Sequence, residues 1–276
     1  MKNTFSPLIT YPLLCLLLLL SNTLLAFPKN SLKPGGIAII AASPAHLTAP
    51  NVRYHGKRVA LVHGKTNWLG IVGIPLRAKT GRHFVNITDA KGKHYQRSFT
   101  VKTYPYRTQR LHISNTNKVN PNKRSRQRIA RESAIKKRLR NVYSRTTPQL
   151  NFLIPVTGRR SSSFGVKRIL NGEKRDPHSG MDIAAPQGRS IKATAKGKVL
   201  YVGNLFYTGK VVYLDHGQGV ISLYAHMSKI MVKKGQQVKR GQVIGKVGRT
   251  GRVTGAHLHW SVYLNCTSVD PALFLR

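Results

Sequence analysis

A mostly β protein, two sheet-rich halves joined by one basic helix, is the fold class this sequence predicts. Three observations carry that expectation. Short β-branched and aromatic runs punctuated by Gly, Pro and Asn fill residues 35–104, and Gly-rich strand patterns return from Leu150 onward. Between them, one stretch has apolar residues at helical spacing. The chain of 276 residues is 41% hydrophobic, enough for real cores despite a formal net charge of +40, so wholesale disorder is excluded. The two cysteines cannot build a disulfide framework or a Cys-based zinc site. With 7 acidic residues against 11 histidines, chemistry resting on several carboxylates is disfavoured and imidazole chemistry stays available.

Residues 1–26 read as an export leader. Lys2 precedes a Leu-rich run over 12–20, then Ser21-Asn22-Thr23 and a small residue, Ala26, where cleavage is expected. The competing reading is an uncleaved anchor, since ~20 apolar residues span a bilayer; Pro12 and the polar triplet leave this run short. Cys15 lacks the small residues of a lipidation site before it. After cleavage Cys266 is the only thiol, so no internal disulfide and no membrane span are expected.

Residues 27–112 should form a small antiparallel sandwich, from runs at 37–40, 58–62, 69–74 and 83–87. His46, His55, His63, His83, His94 and His112 are scattered through it without ligand spacing. Residues 113–148 form a basic linker with a helix over 120–142. Asn120 is its expected cap and Pro121 its first helical residue, with Ile135, Leu139 and Val142 as an apolar stripe and Glu132 one turn from Lys136. Either the helix docks one edge on a domain, or it is a basic arm for an anionic polymer. Residues 149–276 read as a compact antiparallel sheet, with strands near 199–202, 211–214, 220–224, 242–245 and 257–262. Charge is spread over all three segments, +14, +10 and +15 in order.

Two histidine motifs stand out in the last segment, His178-Ser179-Gly180-Met181-Asp182 and His257-Leu258-His259. In an extended strand, residues an even number apart share a face, so His257 and His259 point together, as would His178 and Asp182 if that stretch is extended. Imidazole nitrogen and carboxylate oxygen suit Zn²⁺. His226, ending Leu223-Tyr224-Ala225-His226, is a third element. His216 in its Gly-rich turn reads as structural, and Cys266 as a buried apolar group. Tyr224 and Trp260 either line a cleft or pack the core.

His-x-Gly-x-Asp, then Tyr-Ala-His, then Thr-Gly-x-His-Leu-His, in that order, resembles the M23 metallopeptidases of the lysostaphin and LytM type. Ser163-Phe164-Gly165, Ala195-Lys196-Gly197-Lys198-Val199, Asp215-His216-Gly217 and the stretch holding Gly235, Gln242, Ile244, Gly245, Gly248, Thr250 and Gly251 match as well. The resemblance covers about 155–265; the front half is more weakly similar to Ig-like N-terminal domains of bacterial family members. It implies one Zn²⁺ per chain held by His178, Asp182 and His259, with His226 and His257 as catalytic groups beside a zinc-bound water. Three protein ligands leave an open coordination position, as catalytic zinc requires. No His-Glu-x-x-His is present, so imidazoles must move the protons.

The resemblance further implies peptidoglycan as substrate, cut in stem peptides or cross-bridges, by an exported enzyme of the periplasm, envelope or extracellular space. The positive charge independently favours anionic envelope polymers as partners. Nucleic acid is disfavoured by the leader. A non-catalytic regulator of other cell-wall hydrolases is the alternative, against which all five site residues stand intact. Arg189 replaces the usual small polar residue after Gly188, and Arg160 with Lys167 is expected to add charge near the cleft.

Overall fold

The computed structural model describes residues 28–275, so the expected leader, with Cys15, lies outside the described residues. The first half builds seven strands: β1 (Ile37–Pro44), β2 (Asn51–Tyr54), β3 (Lys57–Arg58), β4 (Ala60–His63), β5 (Asn67–Gly73), β6 (Gly81–Thr88) and β7 (His94–Val101). They pair in two sheets, ordered β1-β5-β4 and β3-β2-β6-β7. On β2 and β6, alternate residues turn inward, so Val52, Tyr54, Val85 and Ile87 meet Ala38, Ile40, Leu61 and Val72 from the other sheet. This is the sandwich that the spacing of runs and turns predicts.

The β1-β5-β4 sheet is buried on both faces, which explains runs such as Ile37-Ala38-Ile39-Ile40 with no polar alternation. Its second face, Ile37, Ala60, Val62 and Ile71, belongs to the core of the C-terminal half. At the contact, the Gly73 N–H donates to Asn265 Oδ1 (2.6 Å) and the Gly73 carbonyl accepts from Asn265 Nδ2 (2.9 Å). A Cβ on Gly73 would lie 2.8 Å from Leu264 Cβ, so close approach of the two sheets requires glycine there.

After β8 (Thr108–Leu111) comes the helix α1 (Lys123–Arg140), then β9 (Arg159–Ser162), β10 (Lys167–Leu170), β11 (Glu173–Arg175), β12 (Met181–Ala184), β13 (Ser190–Lys192), β14 (Gly197–Leu205), β15 (Gly209–Gly217), β16 (Val220–Ile230), β17 (Gln237–Val238), β18 (Val243–Val247), β19 (His257–Leu264) and β20 (Thr267–Val269). The main sheet runs β17-β14-β15-β16-β19-β12-β9, with β18 joined to β16 and β20 to β19. β8, inside the stretch read as the front sandwich, instead pairs in parallel with β10.

The helix differs from expectation at its start. Its cap is Asn122, whose Oδ1 accepts from the Ser125 N–H (2.9 Å), while Asn120 reaches Glu173 and Arg175. Its apolar stripe does dock: Leu139, with half-buried Ile135 and Val142, packs on Val211, Tyr213, Ile221, Leu223 and Tyr263 of the main sheet. Glu132 pairs with Arg128 (2.6 Å) rather than Lys136, and its second oxygen accepts from the Phe206 N–H (2.7 Å). Arg128 is the better placed partner because Glu132 is pinned to the sheet beneath. The opposite face of the sheet, with Val212, Leu214, Tyr224 and Trp260, forms the main core.

Candidate metal centre

Strand register creates the centre. In the antiparallel β12–β19 pair, Asp182 lies directly opposite His259, and Ala184 opposite His257. Facing residues in such a pair project to one side of the sheet, so Asp182 and His259 meet. His178 precedes β12 in a loop tied by its own N–H to the Val166 carbonyl (2.9 Å). Gly180 makes the approach possible, because a Cβ there would sit 2.7 Å from His259 Cε1 and 2.6 Å from the Trp260 carbonyl. Loop and register together bring His178 Nε2 within 3.0 Å of Asp182 Oδ1 and 2.9 Å of His259 Nδ1, with His259 Nδ1 2.8 Å from Asp182 Oδ1.

The other two histidines stand beside this trio. Ala225 faces His259 across β16–β19, so strict alternation would turn His226 away. His226 instead has φ +62°, and this left-handed residue breaks the alternation, setting its ring 4.8 Å from that of His257 and 5.9 Å from that of His259. Strained non-glycine backbone of this kind clusters at functional sites. His226 Nδ1 donates to the Thr250 carbonyl (2.7 Å) and His257 Nδ1 to the Gly255 carbonyl (2.9 Å). Each ring therefore keeps Nε2 as a free lone pair, and that of His257 lies 3.8 Å from Asp182 Oδ1.

Electrostatics favour neutral imidazoles and an ionised carboxylate. Burial pushes His178 down to about 4 and lowers His226 and His257 as well, His226 also through the neighbouring imidazoles. For Asp182 burial alone would raise the pKa, but in the metal-free centre the His178 and His259 rings, 3.0 and 2.8 Å from Oδ1, outweigh it and hold the group well below the usual carboxylate range. Arg168 Nη2 grips its second oxygen at 2.8 Å.

The donor set fits a metal ion. His178 Nδ1 donates to the Ser163 carbonyl (2.9 Å), leaving Nε2 as a lone pair. His259 Nε2 lies 2.9 Å from the Ser261 hydroxyl, an oxygen able to accept its proton and leave Nδ1 free. Two imidazole lone pairs and a carboxylate oxygen thus converge, an arrangement that repels itself without a cation among them. Tetrahedral zinc holds ligands at ~2.0–2.2 Å and so roughly 3.3 Å from one another, slightly wider than this trio. Fixing each ligating histidine through its other nitrogen is the usual support of such sites. Among the described residues, His178, Asp182 and His259 form the one group of three or more such donors.

The remaining sequence readings divide. His216 is buried, bonded to the Lys196 carbonyl (2.8 Å) and Ser222 Oγ (2.7 Å), a structural link. Tyr224 and Trp260 are fully buried in the core and do not line the cleft. Cys266 is half-buried, its thiol pushed up by burial, with Sγ against Asn141. Arg189 is exposed and reaches Thr157. Arg160 leans toward Asp270 (3.8 Å) in a separate hollow, and Lys167 is exposed on β10, so neither charges the cleft. The cations that do are Lys136, Arg168, Arg175 and Arg252, around a cavity of about 420 Å³ that His178, His226 and His259 also line. Sequence reasoning missed them because three come from separate loops and strands and one from the helix.

An antiparallel sheet carrying a His-Asp-His donor set beside two further histidines defines a metallohydrolase class of site. Comparison with known proteins agrees. The model of peptidase family M23 matches residues 176–271, and that of the family M23 N-terminal domain matches residues 30–103. A solved peptidase M23 from Pseudomonas aeruginosa is 39% identical, with a TM-score of 0.75 over 89% of this chain and 95% of that one. The chain belongs to peptidase family M23. Among curated relatives, the peptidoglycan DD-endopeptidase ShyA of Vibrio cholerae is 46% identical over 113 residues, 41% of this chain and 26% of the relative. The DD-carboxypeptidase/endopeptidase Mpg of Neisseria meningitidis is 44% identical over 118 residues, 42% of this chain and 27% of the relative. The chain thus spans about a quarter of the length of each of these two curated relatives.

Proposed function

We propose that this protein is an exported zinc endopeptidase that hydrolyses peptide bonds in peptidoglycan stem peptides or cross-bridges. The observation that carries the reading is the convergence of two lone-pair imidazoles and Asp182 with His226 and His257 alongside. His178, Asp182 and His259 would hold one Zn²⁺. When bound, zinc would polarise the scissile carbonyl and lower the pKa of water toward ~7.

The chain's own groups supply the proton transfers. Water adds to the carbonyl carbon, the C–N bond breaks, and one proton must pass from water to the leaving nitrogen. His226 and His257, neutral and with Nε2 free, can each accept that proton. The imidazole that takes it becomes a donor, first to the oxyanion and then to the amine. Their Nδ1–H bonds to Thr250 and Gly255 hold the rings in the required tautomer. Arg168 keeps Asp182 oriented. Among the described residues no helix is long and apolar enough to cross a membrane. An envelope location and affinity for anionic wall polymers follow from the charge and the expected leader, as part of this proposal.

Mass spectrometry of purified peptidoglycan incubated with the protein, with and without chelator, tests the reading. Newly cleaved peptide bonds that disappear with chelator and return with zinc are expected. Intact peptides throughout, with the protein still sedimenting with the wall, would replace it with the regulator reading. His226→Ala and His257→Ala should retain zinc yet lose ~10²–10⁴-fold in turnover. Near-native cleavage by either variant removes that residue from the mechanism.

A further inference from the structure

The helix α1 is one wall of the cavity above the metal centre. Ile129, Ser133 and Lys136 line it opposite His178, His226 and His259. Four cations border the space, and two of them are already neutralised: Arg168 by Asp182 (2.8 Å) and Arg175 by Glu173 (2.6 Å). Lys136 and Arg252 make no ion pair among the described residues. Glu132, the acid nearest Lys136 in sequence, spends both oxygens on Arg128 and the Phe206 N–H. Asp176, the one carboxylate lining the cavity apart from the centre, is exposed and pairs outward with Arg77 (2.7 Å). Arg252 is held in place by stacking on Tyr207, 4.4 Å from the ring centroid. Thr208 Oγ1, on the same wall, is buried without a hydrogen-bond partner.

We propose that Lys136 and Arg252, with the Thr208 hydroxyl, form a subsite for a carboxylate carried by the substrate peptide next to the bond that is cut. The inference rests on the peptidase reading and adds the chemistry of the substrate. Burial lowers the pKa of both cations; Glu132 partly offsets this for Lys136 and Tyr207 for Arg252, while neighbouring positive groups add to it, so an anion between them relieves a cost the empty site carries. Distance favours a peptide carboxylate over a polymer phosphate. A cavity of about 420 Å³ contains both the cations and the hydrolytic histidines, so the anion must sit within a residue or so of the scissile bond. A peptide's own anion in that range is a carboxylate. Guanidinium and ammonium hydrogen bonds to a carboxylate are strong when shielded from water.

The test separates binding from cleavage. Two probes are used: a purified cross-linked peptide dimer from peptidoglycan, and the same dimer with its free carboxyl groups amidated. Labelled single-strand peptides, with carboxyls free or amidated and no cross-link to cut, serve for anisotropy. Wild type should bind the free-carboxyl peptide at least tenfold tighter and show a similar preference in kcat/KM for the dimer. Lys136→Gln and Arg252→Gln should each shrink that preference severalfold, while Lys136→Arg keeps most of it. Circular dichroism and zinc content should match wild type in the Lys136 variants, whose side chain lines the cavity rather than the packed core. An unchanged free-to-amide ratio in both Gln variants would overturn the proposal. So would tight displacement of the peptide by polyphosphate with no discrimination between the two peptides, which would mark a phosphate-polymer dock. If discrimination in binding holds but neither dimer is cut, the peptidase reading fails and the carboxylate subsite stands.

Discussion

Arg168 shows how much of this centre depends on residues outside the ligand set. Its guanidinium takes the Asp182 oxygen that faces away from the histidines, which fixes the carboxylate plane and leaves Oδ1 turned toward His178 and His259. Support of this kind typically changes metal affinity 10–100-fold. Arg168→Gln is therefore expected to fold, to weaken zinc affinity by about that factor in competition with a chromophoric chelator, and to leave some activity at saturating zinc. By contrast, His178→Ala, Asp182→Ala and His259→Ala should each purify without stoichiometric zinc, as measured by plasma emission; a His259→Ala protein with one zinc per chain would remove His259 from the set. The five histidine and aspartate positions were legible in the sequence through the family pattern, with two-residue strand spacing accounting only for His257 and His259, since His178 lies in a loop and His226 breaks the alternation. Arg168 was not, since its partner lies 14 residues away across two strands.

At the scale of elements, the docking reading of α1 is met in the fold, and the basic-arm reading concerns its exposed face. Its Ile135, Leu139 and Val142 edge docks on the main sheet, while Lys123, Arg124, Arg126, Arg131, Lys137 and Arg138 face solvent. Glu132 is the polar anchor of that docking. Replacing it with Ala leaves the buried Phe206 N–H without an acceptor, a loss of about 1–3 kcal/mol. Urea unfolding should show that drop, and hydrogen exchange should show faster opening of α1 than of β16. An unchanged midpoint would mean water replaces the carboxylate without cost. Converting Arg124, Arg126, Arg131, Lys137 and Arg138 to Gln should weaken sedimentation with purified cell walls. The effect should be largest at low salt, because the Debye length falls from ~10 Å at 0.1 M to ~3 Å at 1 M. Cleavage of a small soluble peptide should persist, as none of these five lines the cavity. Normal wall binding would reduce the helix to a docking element and cleft wall.

At the scale of the whole molecule, the two halves share one hydrophobic core. Ile37, Ala60, Val62 and Ile71 from the front sandwich are part of the C-terminal core, β8 pairs with β10, and Gly73 bonds to Asn265. Calorimetry of the full chain should give a single transition, and residues 149–276 alone should be markedly less stable through exposure of that shared face. Two separate transitions would show that the interface contributes little. Titration adds a second expectation. Burial lowers the pKa of His216 and, without metal, of His178, His226 and His257, so each binds fewer protons folded than unfolded. Metal-stripped protein should hold its full stability above the ordinary histidine value of 6.5 and lose it as pH falls toward about 4, where His178 protonates. Asp182, held low in the fold, adds its loss only at more acid pH. Urea midpoints at pH 7.5, 6 and 5 check this, and a flat profile would contradict the buried neutral histidines.

By itself the sequence determined the class of fold, several of the strands in each half and the donor types of the centre. These are local properties: turn chemistry, two-residue periodicity and side-chain identity act within a few residues. The tertiary structure alone decided which groups face them. The β12–β19 register sets Asp182 against His259, the left-handed turn at His226 brings its ring back to the site, and docking of α1 carries Lys136 over it. Such placements arise from packing between segments far apart in the chain, where the free energy depends on complementary surfaces rather than on local preference. For the same reason Arg160 and Lys167, near the site in sequence, are not among the residues lining the cavity, while Arg252 and Lys136, far apart in the chain, both border it.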